Sequence, residues 1–439
     1  MDNTPQWNAA EWVAQFRRAA ENRSYFDLHN LRSEVYENTV ATVKAGRYTS
    51  CNGREVELPL NADIVEQTRG YAQEIHPEPA ERYPHTLVRT VCEDCLLTAK
   101  RIRDLGEEVC VLNLANRHTP GGGVIEGCGA QEEQLFRRSD YFRSLYSLHS
   151  LGERYGVPVK DRDFYSMDRN FGGVFTRGVT VFRAGEGEGY PLLDEPWHAN
   201  FIAVAGIDKP ATEERDGELR LTERMVRRAL NKMRTILRIA VDNRQPNLVL
   251  GALGCGAFHN PPGHTAELFH QVLAEDEFRG CFKRVFFSVI EDHNSRQGNF
   301  APFAEALNPT APDMVSSLRE NEIFVFGSNL QGAHGGGAAA AAMRHYGAVW
   351  GQGVGLQGQS YAIPTMQGGP ETIAPYVDAF AEFAARHPEL RFLVTRIGCG
   401  IAGFTDEQIA PLFRKAAPLP NVCLPVAFQR LIGSDAFLN

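Results

Sequence analysis

The sequence predicts an α/β protein built as two units in tandem, and three observations carry that prediction. Short β-prone runs alternate with amphipathic stretches along the chain, as they do in a sheet with helices packed on its faces. Within residues 108–139 a buried strand, a triple glycine and an acidic helix start follow one another. Strand and triple glycine then return in the same order from Glu322 onward.

At 439 residues the chain is too long for one ordinary core. Its 43% hydrophobic and 23% charged residues are those of a soluble globular protein. A net charge of −9 argues against a general nucleic-acid binder and against an anionic membrane as partner. Anionic ligands are still allowed, because glycine loops and helix N-termini hold phosphate without net positive charge. The chain has no run of 18 apolar residues and its start, MDNTPQWNAAEW, is too polar for a signal peptide, so a cytoplasmic location is expected. Nine cysteines, an odd number, fit a reducing compartment better than a disulfide framework. Cys92 and Cys95 form a lone CxxC with no second pair and no nearby histidine, which reads as one helix face. No metal and no cofactor are expected.

Taken in order, residues 7–36 carry Trp12, Phe16, Leu28, Leu31 and Val35 at helical spacing, and the helix continues over 37–45 to Gly46. Residues 47–58 read as a hairpin about Asn52-Gly53. A helix over 86–105 leads to a strand at 108–114, and a helix over 131–148 follows the glycine loop. Strands are expected at 179–183 and 200–204, a long helix at 218–242, and a strand at 248–252. The loop 253–262, a helix near 265–274 and a strand at 284–290 complete the first unit. Residues 298–319, with Pro302, Pro309 and Pro312, read as a linker.

The chemistry concentrates in 111–139. Gly121, Gly122 and Gly123 let main-chain N–H groups come close to a ligand, and a helix start just downstream adds unpaired donors and partial positive charge. Glu132 and Glu133 are neighbours on that helix, so they face different ways and have separate tasks. The later loop LGCGAFHNPP, with Gly254, Cys255, Gly256 and Ala257, is suited to wrap a diphosphate with main-chain N–H groups. Phe258 then packs on a ribose, closes the site, or packs the loop itself.

The triple glycine, seven further residues and Gln131-Glu132-Glu133 resemble the signature of poly(ADP-ribose) glycohydrolases. The leader VLNLAN before PGGG is similar to the microbial branch of that macrodomain-type family, as are the helix and hairpin of residues 37–58. The resemblance covers roughly residues 10–295. It implies a three-layer α/β/α unit with Glu133 as the acid at the ribose–ribose bond and Glu132 fixing ribose hydroxyls. Asn116 and Gln131, whose amides suit hydroxyl pairs, would orient the distal ribose. The segment 166–183 is longer and more glycine-rich than its family counterpart and reads as a lid or a surface insertion.

The second unit repeats the first. EIFVFGSNLQGAHGGGA lines up with EVCVLNLANRHTPGGGV, pairing Asn329 with Asn116 and Gly335, Gly336 and Gly337 with the first triple glycine. At a constant offset of 144 residues, Gly398, Cys399 and Gly400 match Gly254, Cys255 and Gly256. Two loop motifs recurring in order imply tandem macrodomain-like units, the second shorter. After its glycines the second copy runs AAAAAMRHYG, with no carboxylates, so a ligand-binding module held by Asn329 and the two glycine loops is expected, the alternative being an enzyme that uses His334, His345 or Asp406.

The expected organisation is therefore an N-terminal helical extension at 1–105, a catalytic unit at 106–297, the linker, and a second unit at 320–439. The leading functional expectation is hydrolysis of O-glycosidic bonds in an ADP-ribose polymer or an ADP-ribosylated target. The alternative is a non-catalytic reader of ADP-ribose or sensor of an NAD-derived nucleotide.

Overall fold

The computed structural model describes residues 7–165, 167, 170–291, 295 and 298–438. The chain forms two compact units, Met1–Leu87 with Asp94–Val285, and Val88–Glu93 with Phe286–Asn439. Ser166, Asp168 and Arg169 of the expected lid lie outside the described residues.

In the first unit the strands stand in the order Arg69–Tyr71, Gly173–Arg183, Leu192–Val204, Cys110–Leu114, Asn247–Leu250. Cys110–Leu114 runs parallel to both its neighbours, with Asn113 opposite Ala203 and Val111 opposite Val249. Strands buried on both faces read as continuous apolar runs, and Val111, Leu112, Leu248, Val249, Phe201 and Ile202 are all buried. Three adjacent parallel strands thus release their following loops at one carboxyl edge, the usual place for a ligand in such sheets.

The helices Ala9–Glu21 and Tyr25–Ala45 belong to this unit, not to a separate extension ending at 105. Ser24 caps the second of them and Gly46 ends it with φ +69°. The helix expected over 86–105 is shorter. Leu87–Val91, rich in β-branched residues, is a strand, and Asp94 caps a helix Cys95–Asp104 by accepting from Leu96 N and Leu97 N. Cys92 therefore lies ahead of the helix that Cys95 begins, and all nine cysteines are free thiols. The helix expected over 131–148 stops at Arg138, because Ser139 turns extended and bridges to Val181. The one expected over 218–242 starts at Glu223. Before it, Thr212–Arg215 and Glu218–Leu221 form a hairpin around Asp216-Gly217, a turn signal that the helical pattern of the following residues masks in the sequence.

The stretch 298–319 is no linker. Phe300–Leu307 is a helix that buries Phe300, Phe303 and Ala304, with Pro302 in its first turn, where no intrahelical N–H bond is lost. Thr310–Ala311 follows as a strand parallel to Val422–Pro425. The second unit's six strands order as Thr310–Ala311, Val422–Pro425, Arg391–Val394, Glu322–Ser328, Ser360–Pro364, Gly355–Gln357. Only Gly355–Gln357 is antiparallel to its neighbour.

The repeat holds at the level of topology. In each unit the strand before the triple glycine sits between the strand before the Gly-Cys-Gly loop and a parallel strand that carries an antiparallel neighbour. Among the described residues no helix is long and apolar enough to cross a membrane.

Candidate active site

The strand Cys110–Leu114 and the helix Gln131–Arg138 are locked together by Gln131. Its Oε1 accepts from Leu114 N at 2.9 Å and its Nε2 donates to Leu112 O at 2.8 Å. The amide expected to orient a ribose is thus engaged with the strand. It sets the helix start at a fixed height, and Glu132 and Glu133 follow.

Glu132 is 3% exposed and points inward. Oε1 accepts from Asn113 Nδ2 at 3.1 Å and from Gly121 N at 3.0 Å, and Oε2 accepts from Asn116 N at 2.6 Å. The Tyr165 hydroxyl donates to Asn116 O at 3.2 Å and stands 3.5 Å from Glu132 Oε1. Both oxygens expected to meet ribose hydroxyls are already engaged by the protein. Burial, then the charge of Glu133, push this carboxyl up to about 8, against the three hydrogen bonds that favour its ionised form.

Glu133 is held differently. Oε1 accepts from Gly123 N at 2.9 Å, whereas Oε2 is buried and makes no hydrogen bond. A buried carboxyl oxygen without a hydrogen-bond partner is costly, and such a group calls for a functional explanation. Gly122 lies over the pair with φ +52°, and a Cβ there would collide with Glu133 Oε1. A Cβ on Gly121 would fall 2.8 Å from the Phe136 ring. The triple glycine is therefore needed to let the loop fold onto the two carboxylates. Asn116 shapes the loop's entry, its Oδ1 accepting from His118 N at 2.9 Å and Thr119 N at 3.1 Å.

The helix Tyr25–Ala45 holds the far side of this loop. Ser33 Oγ donates to Ile125 O at 2.6 Å, and His29 Nδ1 meets Glu126 O at 2.9 Å. Arg137 bonds Cys128 O and, through Nε, Arg32 O at 3.1 Å, while Arg32 pairs with Glu186 at 2.7 Å. Asn113, Tyr165, His29 and Ser33 are the supports that sequence reasoning missed. Of these only Asn113, a polar residue inside an otherwise apolar strand, carries a signal in the sequence.

The second loop follows the neighbouring strand Asn247–Leu250. Gly254 has φ +75°, and Asn260 N donates to Gly254 O at 3.0 Å while Asn260 Nδ2 donates to Ile207 O at 2.7 Å. Cys255 is buried, with its thiol pushed up to about 12 by that burial, so it packs rather than reacts. Phe258 is half-buried and its carbonyl accepts from Lys209 N at 2.9 Å.

In the second unit the same loop is drawn again at the offset of 144. Phe404 N donates to Gly398 O at 3.0 Å, and Gly398 has φ +73°. Ile397 N to Thr395 O, Cys399 N to Arg396 O and Gly403 N to Gly400 O match Leu253 N to Gly251 O, Cys255 N to Ala252 O and His259 N to Gly256 O. The triple glycine differs. It opens the helix Gly337–His345 directly, and a Cβ at Gly335 or Gly400 would meet no atom within 4 Å. Asn329 turns its amide onto Ala333, accepting from its N and donating to its O, both at 2.9 Å.

Fold and first-unit site together define a macrodomain-like α/β hydrolase. Residues 36–184 match the family described as the microbial-type PARG, catalytic domain, where PARG is poly(ADP-ribose) glycohydrolase. The crystal structure of the enzyme from Thermomonospora curvata is 32% identical, with a TM-score of 0.51, over 63% of this chain and 98% of that one. The same enzyme bound to the inhibitor ADP-HPD gives 30% identity and 0.49 over 62% and 98%. The Deinococcus radiodurans enzyme in complex with ADP-ribose gives 28% and 0.45 over 57% and 98%. No curated protein matches. This chain belongs to the microbial poly(ADP-ribose) glycohydrolases, and it is a glycosidase.

Proposed function

We propose that Glu133 is the general acid and base of ribose–ribose bond hydrolysis in poly(ADP-ribose) or a related ADP-ribosyl conjugate. The observation that carries this is the asymmetry of its carboxyl, with Oε1 pinned by Gly123 N and Oε2 buried and unbonded. A protonated Glu133 gives its proton to the leaving ribose oxygen as the glycosidic C–O bond breaks. The ribose left behind carries oxocarbenium character. Water then adds to that carbon and returns a proton to the Glu133 carboxylate, so one water is consumed per bond cleaved.

The neighbouring Glu132 helps supply that proton. Both carboxyls are buried, and Glu132 is raised to about 8, first by that burial and then by the charge of Glu133, so it holds a proton at neutral pH. Its hydrogen bonds also fix the strand end and the glycine loop, so its role in this reading is to hold the loop rather than to touch ribose. The Gly254–Phe258 loop stands at the same carboxyl edge, where its main-chain N–H groups suit the diphosphate.

For the second unit we infer binding of an ADP-ribose-like ligand without hydrolysis. Its Gly398–Gly400 loop repeats the first unit's hydrogen bonds, Gly335 and Gly400 face open space, and its helix carries alanines where the first has Glu132 and Glu133. Incubation of the protein and its Glu133→Gln variant with poly(ADP-ribose), followed by chromatography for released ADP-ribose, tests the catalytic reading. Release should fall by roughly 100-fold or more in the variant, in line with the loss of general acid catalysis, while ADP-ribose affinity persists. Unaltered turnover would remove Glu133 from the mechanism.

A further inference from the structure

The second unit contains a buried cation that meets no counter-charge among the described residues. Arg89 is 8% exposed. Its Nη1 donates to the neighbouring Val88 O at 2.8 Å and its Nη2 reaches Pro418 O at 3.4 Å, while Nε has no partner. Its guanidinium carbon lies 5.4 Å from the centre of the Phe437 ring. Among the described residues no carboxylate pairs with it, and burial alone lowers it to about 10. A lone guanidinium taken out of water is expensive, and proteins ordinarily pair it or bring in an anion.

A small cavity of about 10 Å³ adjoins it, bounded by Arg89, Thr90, Asn308, Gln429, Leu424 and Phe437 among others. That is room for about one water-sized particle. The other polar side chains around it are spoken for. Thr90 Oγ1 donates to Phe303 O, Asn308 Nδ2 to Thr90 O and Gln429 Oε1, and Gln429 Nε2 to Leu424 O. Asn308 Oδ1 accepts from Thr90 N. Two of the five guanidinium N–H groups are bonded, and the other three, Nε–H among them, are without a partner. A monatomic anion is satisfied by one charged donor and tolerates apolar walls.

We propose that this cavity is a binding site for a small monovalent anion of chloride size, held by Arg89 Nε. The occupant neutralises the buried guanidinium and ties the second unit's stability to halide concentration. The site is separate from the carboxyl-edge loops and does not depend on their ligand.

Two measurements on the full chain test it. Thermal melting in sodium chloride should exceed that in sodium gluconate at equal ionic strength by roughly 2–4 °C, and the Arg89→Met variant should lose that difference. Crystals of the wild type soaked in bromide should show an anomalous peak in hydrogen-bond contact with Arg89 Nε, which decides the matter even where the variant fails to fold. An empty cavity or an ordered water there overturns the proposal. So does the same chloride response in wild type and variant. A bromide peak with melting indifferent to chloride would reduce the site to an adventitious ion and overturn it equally.

Discussion

Gly123 N donates to Glu133 Oε1 at 2.9 Å, so one oxygen of the carboxyl is fixed by the loop that covers it while the other is left buried and unbonded. The loop and the helix are thereby one device. The glycines bring main-chain donors onto the carboxylates, and the carboxylates in turn hold the glycines. Neither motif has this geometry alone, which is why a triple glycine by itself is a weak signal.

Gly122→Ala should break that device. The glycine sits at φ +52°, and its added Cβ would collide with Glu133 Oε1 and lie 3.2 Å from Glu132 Oε2. The strained backbone should cost about 1–3 kcal/mol of stability, read by chemical denaturation. Displacing the carboxyl should slow hydrolysis by roughly 100-fold. Gly106→Ala is the control, because Gly106 has φ +77° with no atom near its Cβ. It should lose stability and keep its turnover. Equal turnover in both variants would show that the loop does not position Glu133.

The site was legible in the sequence where chemistry is local, and less so where packing decides. Glycines, Glu132, Glu133 and the repeated Gly-Cys-Gly loop are contiguous motifs, and the structure brings each to the carboxyl edge of its sheet. Ser33 and His29 are about 90 residues from the loop they hold, as separations of 92 and 97 show, and an ordinary polar helix face announces no such contact. Boundaries failed for a similar reason. Ser139 ends its helix by bridging to Val181, a partner that no local pattern around residue 139 contains. The stretch 298–319 read as a linker because its prolines outweighed Phe300 and Phe303, whose burial makes it a helix.

Glu132 makes stability depend on pH. Its folded carboxyl is raised to about 8, mainly by burial and secondly by Glu133, whereas an unfolded glutamate titrates near about 4.3. Between those values the folded state binds a proton that the unfolded chain does not, so stability falls as pH rises through that window. Denaturation free energies measured from about pH 5 to about pH 8.5 should decline for the wild type. Glu132→Gln, which cannot titrate, should show a shallower decline, together with a lower plateau from its weakened bond to Asn116 N. Parallel curves would mean that Glu132 is ionised throughout and that its three donors outweigh burial.

Ser33→Ala tests the support from the helix Tyr25–Ala45. The lost hydrogen bond to Ile125 O should cost about 1 kcal/mol. A loop no longer pinned there should also lower the hydrolysis rate at saturating polymer. A stability loss with unchanged rate would confine the helix to a packing role.

The second unit's cradle can be filled without disturbing its fold. At Gly335 and Gly400 a Cβ would have no neighbour within 4 Å, and neither residue lies in the left-handed region. Valine at both sites should therefore leave stability within about 0.5 kcal/mol of the parent. The added side chains would occupy the space above the Gly398 loop and the start of the helix Gly337–His345, where main-chain N–H groups would meet a phosphate. Calorimetric titration with ADP-ribose, carried out in the Glu133→Gln background, separates the two sites by count. The parent should bind two ligands per chain and the double-valine variant one. A parent that binds one, or a variant that still binds two, would end the case for a ligand at this edge and leave the repeated loop as inherited architecture.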